Sequence, residues 1–363
     1  MTLALAPKAR ILVVTLRRLG DVLLTTPLIR SLKRAYPDAA IDALVFKGTE
    51  GILAGNPDLN DVIVMPQRPG AGETLALVRT LWRRYDLALS TQAGDRPTLF
   101  AFAAGRRRAG FVEPARLNGR IKRLLLTDPV PIPQGVHRVS EVLRLAEALG
   151  IAPVAEVVAP AGSAVAASRR PYAVVHVTPK FRYKQWTEAG WRALAAGLSA
   201  RGLAVLATGG PEAQERRYLD AVWTGLPEVE RRDGAFSWPE LTATIRDAAV
   251  FIGPDTAVTH LAAATGAPTV ALYGPTDPRL WGPWPIGGTD PAWAAAGTIQ
   301  QRHNVWLVQN PLPCLPCQQE GCLRRIDSHS QCLDELPVSR VLQAVDAALG
   351  DALMRGMSRR LPQ

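Results

Sequence analysis

The stretch Phe251–Pro278, FIGPDTAVTHLAAATGAPTVALYGPTDP, decides the fold. With the preceding Val250 it opens as VFIG (250–253), an apolar, β-branched run suited to a buried parallel strand. Gly253 and Pro254 stop the run, and Asp255 or Thr256 can cap the helix VTHLAAAT, which Gly266 ends. A second apolar strand follows, then a second polar turn, Gly274-Pro275-Thr276-Asp277. Thr256 and His260 are four apart and share a helix face. That face opens at the carboxyl end of a strand, where open α/β sheets bind ligands. The helix start, with its free amides and dipole, favours an anion such as a diphosphate. His260 alone would read equally as a helical histidine in an ordinary hydrogen bond. The second polar loop arriving beside it favours a binding site.

The same alternation extends outward in both directions. In the first half, ILVVTL is a strand, Asp21 to Ala35 a helix, and IDALVF, VIVM, DLALS and RAGFV continue the strands. VSEVLRLAEALG is an amphipathic helix ended by Gly150. Residues 151–170, rich in Ala, Pro and Ser, carry little pattern and read as a linker. A second series starts at YAVVHVT and runs through the helix WTEAGWRALAAGLSARG, the strand LAVLATGG and two further helices to the opening stretch. The fold class is therefore α/β: two Rossmann-like parallel-sheet domains, 1–160 and 170–363, expected to face a central cleft.

Composition fits that reading. The chain has 363 residues, and its 47% hydrophobic content is enough for two cores. It has no uninterrupted apolar run long enough to span a bilayer, and MTLALAPKAR lacks a secretory apolar region, so a cytoplasmic location is expected. The net charge of +10 favours an anionic partner. It is concentrated in Arg106, Arg107, Arg108, Arg116, Arg120, Lys122 and Arg123, a stretch with a single acid, Glu113. No helix-turn-helix, zinc-finger or RNP-like pattern accompanies it, so nucleic acid is not the expected partner. The alternatives are a solvated basic loop and a surface for phosphorylated lipid at the inner leaflet of the membrane.

Three segments resemble glycosyltransferase family 9, the ADP-heptose:lipopolysaccharide heptosyltransferases. They are ILVVTLRRLGDVLLTTPLIRSLKRAYPDAAIDALV near the amino end, FRYKQW at Phe181–Trp186, and GPDTAVTHLAAATGAPTVALYGPTDP. They occur in order over roughly residues 10 to 285. FRYKQW together with PTDPRLWGPW looks most like the heptosyltransferase III branch. The resemblance implies a GT-B fold, an N-terminal acceptor domain, a C-terminal nucleotide-sugar domain, and a last helix, VSRVLQAVDAALGDALM, that returns to the first domain. It also implies inverting transfer of heptose from ADP-heptose to the lipopolysaccharide inner core.

That chemistry needs a base for the acceptor hydroxyl, stabilisation of the leaving diphosphate, and alignment of both reactants. Asp21, after Gly20 at a strand end, reads by itself as a first-turn acid or as a base. The resemblance, through LGDVLLTTP, makes it the catalytic candidate. Arg17 and Arg18 precede it and suit an acidic acceptor, as do Arg120, Lys122 and Arg123; the arginines beside Asp21 would also lower its pKa. The resemblance assigns the donor to Lys184, Glu215, Asp255, Thr256 and His260, with Glu212 competing for the role of Glu215. No Asp-x-Asp pair is present to carry a divalent metal, and no cofactor is expected for catalysis.

Four cysteines, Cys314, Cys317, Cys322 and Cys332, have the spacing C-x2-C-x4-C-x9-C. In a reducing compartment this suggests a structural zinc or iron site, with His303 or His329 able to replace one ligand; free thiols or two disulfides are the alternatives. The expected partners are ADP-heptose, the lipopolysaccharide core acceptor and the inner-leaflet surface, with the enzyme peripheral to the membrane. Two rival readings remain: a family 9 enzyme with another nucleotide sugar or a protein acceptor, and a non-catalytic glycan-binding or scaffold protein.

Overall fold

The structure, a computed structural model, describes residues 3–113, 117–163 and 171–358, and their side chains except at 117–118 and 353–358. Arg116 of the basic run and residues 164–170 of the expected linker lie outside the described residues. The chain divides into two units, Met1–Pro160 and Ala161–Gln363.

In unit 1, β1 (Arg10–Thr15) leads into α1 (Leu19–Leu23) and α2 (Thr26–Ala35). Then come β2 (Ala40–Phe46), β3 (Asp61–Met65), α3 (Ala71–Leu81), β4 (Tyr85–Ser90), α4 (Asp95–Ala104), β5 (Gly105–Val112), α5 (Leu117–Leu125), β6 (Asp128–Pro131) and α6 (Arg138–Ala148). The strands form one sheet in the order β3-β2-β1-β4-β5-β6, and every pair is parallel. Side chains alternate along a strand, so β1 feeds two cores. Ile11 and Val13 pack with Leu28, Ile29 and Leu32 of α2 and with Val142 and Leu145 of α6. Leu12 and Val14 pack on the other face with Phe100 and Ala101 of α4. A strand covered on both faces has to be apolar throughout, which explains the unbroken run ILVV. At the far edge, β6 is DPVP, a strand half made of proline.

Unit 2 contains β7 (Tyr172–His176), α7 (Glu188–Ser199), β8 (Ala204–Gly209), α8 (Ala213–Trp223), β9 (Val229–Asp233), α9 (Trp238–Arg246), β10 (Val250–Pro254), α10 (Ala257–Thr265) and β11 (Thr269–Leu272). It continues with α11 (Pro278–Trp281), β12 (Ile299–Arg302), β13 (Val305–Val308), α12 (Gln331–Asp334) and α13 (Val338–Ser358). Its sheet runs β12-β13-β11-β10-β7-β8-β9, with only β12 antiparallel. In both units the order reverses at the first strand of the series, between β1 and β4 and between β7 and β10. Such a reversal leaves a crevice at the carboxyl ends of the strands.

Two sequence readings need correction. The helix read from Asp21 to Ala35 is two helices. Pro27 has no N–H to continue α1, and its ring excludes the carbonyl four residues back. The Thr25 and Thr26 hydroxyls instead donate to Asp21 O at 2.8 Å and Leu23 O at 2.7 Å. The basic stretch is not a loop. Arg106–Arg108 lie in β5, and Arg120, Lys122 and Arg123 lie in α5. Some of its charge is also neutralised internally: Arg107 forks onto Asp128 at 2.8 and 2.7 Å, and Lys122 meets Asp95 at 2.7 Å. Helix α13 packs along α7, β10, β11 and β13 of its own unit. Val341, Ala344, Val345 and Ala348 form its buried stripe.

Candidate active site

In unit 2 the chemistry gathers on Asp255, just past the end of β10. The residue is 8% exposed. Its Oδ2 accepts from Lys184 Nζ at 2.5 Å and from the Thr276 hydroxyl at 2.6 Å. Burial is the largest influence on this carboxyl and opposes ionisation. The charges of Lys184 and His260, with the two hydrogen bonds, outweigh it and hold the pKa below the usual carboxylate value. Lys184 comes from a single 3₁₀ turn, Arg182–Lys184, in the long loop after β7. Thr276 comes from the loop after β11. One oxygen thus joins the loops that leave three neighbouring strands.

Thr256 caps α10, its hydroxyl accepting from Thr259 N at 3.3 Å, and Gly266 closes the helix with φ +83°. Both ends fall where the sequence put them. The amides of Ala257 and Val258 head the helix and have no carbonyl within it to reach. His260 is buried on the same helix, one turn in. The structure therefore brings Lys184, Asp255, Thr256 and His260 to one end of one sheet, beside a lysine ammonium and a helix amino end, both suited to an anion.

Glu215 stands slightly apart, in the first turn of α8. It lines a polar pocket of about 500 Å³ together with Lys180, Arg182, Glu212, Tyr218 and Asp334. Burial first, and Glu212 second, raise its pKa, while the Gly210 amide opposes the rise. Its carboxylate lies so close to Gly210 that a Cβ there would meet Glu215 Oε2 at 1.8 Å, so any side chain at 210 would displace the Glu215 carboxylate. Glu212 is the exposed N-cap of α8.

In unit 1 Asp21 sits at the β1/β4 reversal and is 7% exposed. Arg17 Nε lies 3.1 Å from its Oδ1, and Arg138 Nε 3.8 Å. Arg138 is buried at the start of α6, where it donates to Glu141 at 2.6 Å and to Thr91 O at 3.2 Å. Desolvation lowers its pKa, and Glu141 and Asp21 counter that. A guanidinium so placed remains charged. Neither Arg138 nor Thr276 was among the residues picked from the sequence. Thr276 lay in a loop already singled out; Arg138 follows no periodicity or motif. Arg18 is exposed, and so are Arg120 and Arg123 on α5, whereas Lys122 is turned inward to Asp95.

Among the described residues, no three His, Cys, Asp or Glu side chains form a set that could hold a metal ion as they stand. Cys332 is packed into the core of unit 2, while Cys314 and Cys322 are exposed. The four cysteines still lie within electrostatic reach. Burial pushes the Cys332 thiol up to about 12, and Cys317, Cys322 and Cys314 add to that rise.

Comparison with known proteins places these features in a family context. The profile of Glycosyltransferase family 9 (heptosyltransferase) matches residues 74–321. The chain is 32% identical over 286 residues to lipopolysaccharide heptosyltransferase 3 of Escherichia coli (strain K12), covering 73% of this chain and 82% of that one. The ADP-heptose lps heptosyltransferase II structure from E. coli superposes with a TM-score of 0.73, covering 95% of this chain and 99% of that one at 20% identity. An E. coli heptosyltransferase solved with ADP gives 0.72, with 93% and 99% covered at 21% identity. These two structural likenesses bear on the fold.

One pH dependence follows from the end of β7. His176 is buried there against the Thr208 hydroxyl at 3.1 Å, and burial lowers its pKa to about 4 from 6.5. It is neutral when folded and gains a proton on unfolding at intermediate pH. Its contribution to stability is full above pH 6.5 and is lost as the pH falls toward 4. Denaturant titrations across that window should show the wild type losing on the order of 3 kcal/mol from this group. His176→Gln, which keeps a hydrogen-bonding partner for Thr208, should flatten the slope. An unchanged slope would assign the acid sensitivity to other groups.

Proposed function

This chain belongs to glycosyltransferase family 9, and on that premise we propose that it transfers a heptose from ADP-heptose to the inner core of lipopolysaccharide, with inversion at the anomeric carbon. The observation that carries this reading is the lysine held by a buried, ionised carboxylate beside the amino end of α10. Such an arrangement ties three loops together and at the same time presents a cation and free helix amides suited to a diphosphate.

In the proposed reaction an acceptor hydroxyl attacks the anomeric carbon and passes its proton to Asp21. The bond from that carbon to the diphosphate oxygen breaks on the opposite face. Negative charge then collects on ADP, where Lys184 and the α10 amides meet it. Asp255, being anionic, would repel a diphosphate; its part is to orient Lys184 and Thr276. His260 adds to that field, and Glu215 is suited to accept from ribose hydroxyls. Arg17 and Arg138 fix the direction of the Asp21 carboxylate. Unit 1 is the proposed acceptor domain and unit 2 the donor domain, with Arg17, Arg18, Arg120 and Arg123 suited by charge to an acidic acceptor.

Two further parts of the reading concern surroundings. No helix among the described residues is long and apolar enough to cross a membrane. Helix α5, however, exposes Ile121 (55%) and Leu124 (85%) beside Arg120 and Arg123, which suits cytoplasmic, peripheral contact with an anionic lipid surface. The cysteines, soft ligands already in mutual reach, suit one structural zinc or iron after side-chain rotation.

Four outcomes test these statements. Asp21→Asn should lower kcat by about 100-fold or more while ADP binding is kept; more than half of wild-type turnover would remove Asp21 from the base role. Lys184→Ala should weaken ADP binding about 10- to 100-fold in calorimetry, as expected for a lost charge-assisted bond, and EDTA should leave turnover intact. A strict magnesium or manganese requirement would contradict diphosphate stabilisation by Lys184 and the helix alone. Replacing Ile121 and Leu124 with Ser should reduce sedimentation with anionic vesicles, and equal sedimentation would discard α5 as the contact. Elemental analysis of untagged protein should find about one zinc or iron per chain, lost in Cys317→Ser; metal-free, fully active protein would leave an ordinary loop.

A further inference from the structure

The donor loops do not stand unsupported. Lys184 and Thr276, the two residues that grip Asp255, each follow a residue fastened to the cysteine segment. The Ser330 hydroxyl, buried at the start of α12, donates to Tyr183 O at 2.6 Å. The Gln318 amide donates to Pro275 O at 2.8 Å. Farther along the first loop, Trp186 Nε1 donates to Leu336 O at 3.0 Å, and Trp186 shares a core with Cys332, Leu333 and Leu336. On the second loop, Gly274 lies against the same pair. A Cβ there would meet Leu333 at 2.8 Å and Cys332 Sγ at 3.3 Å.

The segment also holds itself together. Cys322 N donates to His329 O at 2.9 Å, the Ser328 hydroxyl to Glu320 O at 3.1 Å, and Gln331 N to Cys322 Sγ at 3.3 Å. It thus forms a small folded unit that touches two donor loops and supplies neither Lys184 nor Thr276. A carbonyl fixed one residue before Lys184, and another one residue before Thr276, limit where those side chains can start.

We propose that residues 318–336 act as a positioning clamp on the donor site, with Ser330 and the Gly274–Leu333 contact setting the Lys184–Asp255–Thr276 geometry and hence the affinity for a nucleoside diphosphate. The proposal rests on the donor-site reading above. Ser330 and Gly274 are positioning residues and are not expected to touch the ligand.

The test is a double-mutant cycle on full-length protein, with ADP as the calorimetric probe and thermal unfolding followed in parallel. Ser330→Ala should weaken ADP about three- to tenfold, the scale of one hydrogen bond, with little change in Tm. In the Lys184→Ala background the same substitution should change affinity less than about twofold, because the group it positions is gone. Gly274→Ala, which wedges the second loop away from Leu333, should behave in the same way and serves if Ser330→Ala folds poorly. Equal losses in both backgrounds would mean general destabilisation and overturn the clamp, as would wild-type affinity in both single variants. If Lys184→Ala itself leaves ADP affinity unchanged, the donor reading fails and the clamp fails with it; a loss there beside silent Ser330 and Gly274 variants rejects the clamp alone.

Discussion

A carboxylate withdrawn from water keeps its charge only when cations and donors come to it. Asp255 is in that position, and the donor end of unit 2 is arranged around the need. The lysine that answers it is 71 residues away in sequence and the threonine 21. Because both bind one oxygen, the loops leaving β7, β10 and β11 have one common reference point. Removing either partner would loosen two loops at once. Breaking a buried pair costs about 3–5 kcal/mol, and the 21% exposure of the Lys184 side chain argues for the lower end of that range.

Unit 1 meets a similar need differently. Asp21 lies past the end of the first strand of its sheet, but its cations are arginines, one reached by a turn of chain and one buried in α6. Arginine keeps its charge even in a dry site, so Arg138 can stand fully covered where a lysine would tend to give up its proton. The acid proposed to take a proton is thus held by groups that will not titrate.

Local features were legible in the sequence. Strands buried on both faces announce themselves as unbroken aliphatic runs, so β1, β7 and β10 could be read directly. Gly266 and Thr256 marked both ends of α10 by backbone chemistry alone. What could not be read was contact at a distance. Nothing in FRYKQW says that its lysine meets the aspartate of GPDT, and nothing around His137 marks Arg138 as the residue behind Asp21. Helix α5 was missed for a different reason. In LNGRIKRLL the lysine turns inward and the leucine outward, which inverts the pattern by which a helix is recognised. The cysteine spacing suggested a closed set of ligands; it could not show that Cys332 belongs to the core of unit 2 while Cys314 and Cys322 are exposed.

The proline-rich strand β6 has a consequence for how this molecule behaves in a crowd. Open parallel sheets end in rows of unpaired amides and carbonyls that can recruit a strand from another chain. β6, DPVP, pairs with β5 on one side, and two of its four residues have no amide to offer on the other. The second sheet is shielded at β12 by other means. Gln300 exchanges hydrogen bonds with the backbone of Ala294, and Arg302 donates to Ala292 O, so a strap of chain is fastened to the terminal strand. Each sheet therefore has one border at which accidental polymerisation finds little to grasp.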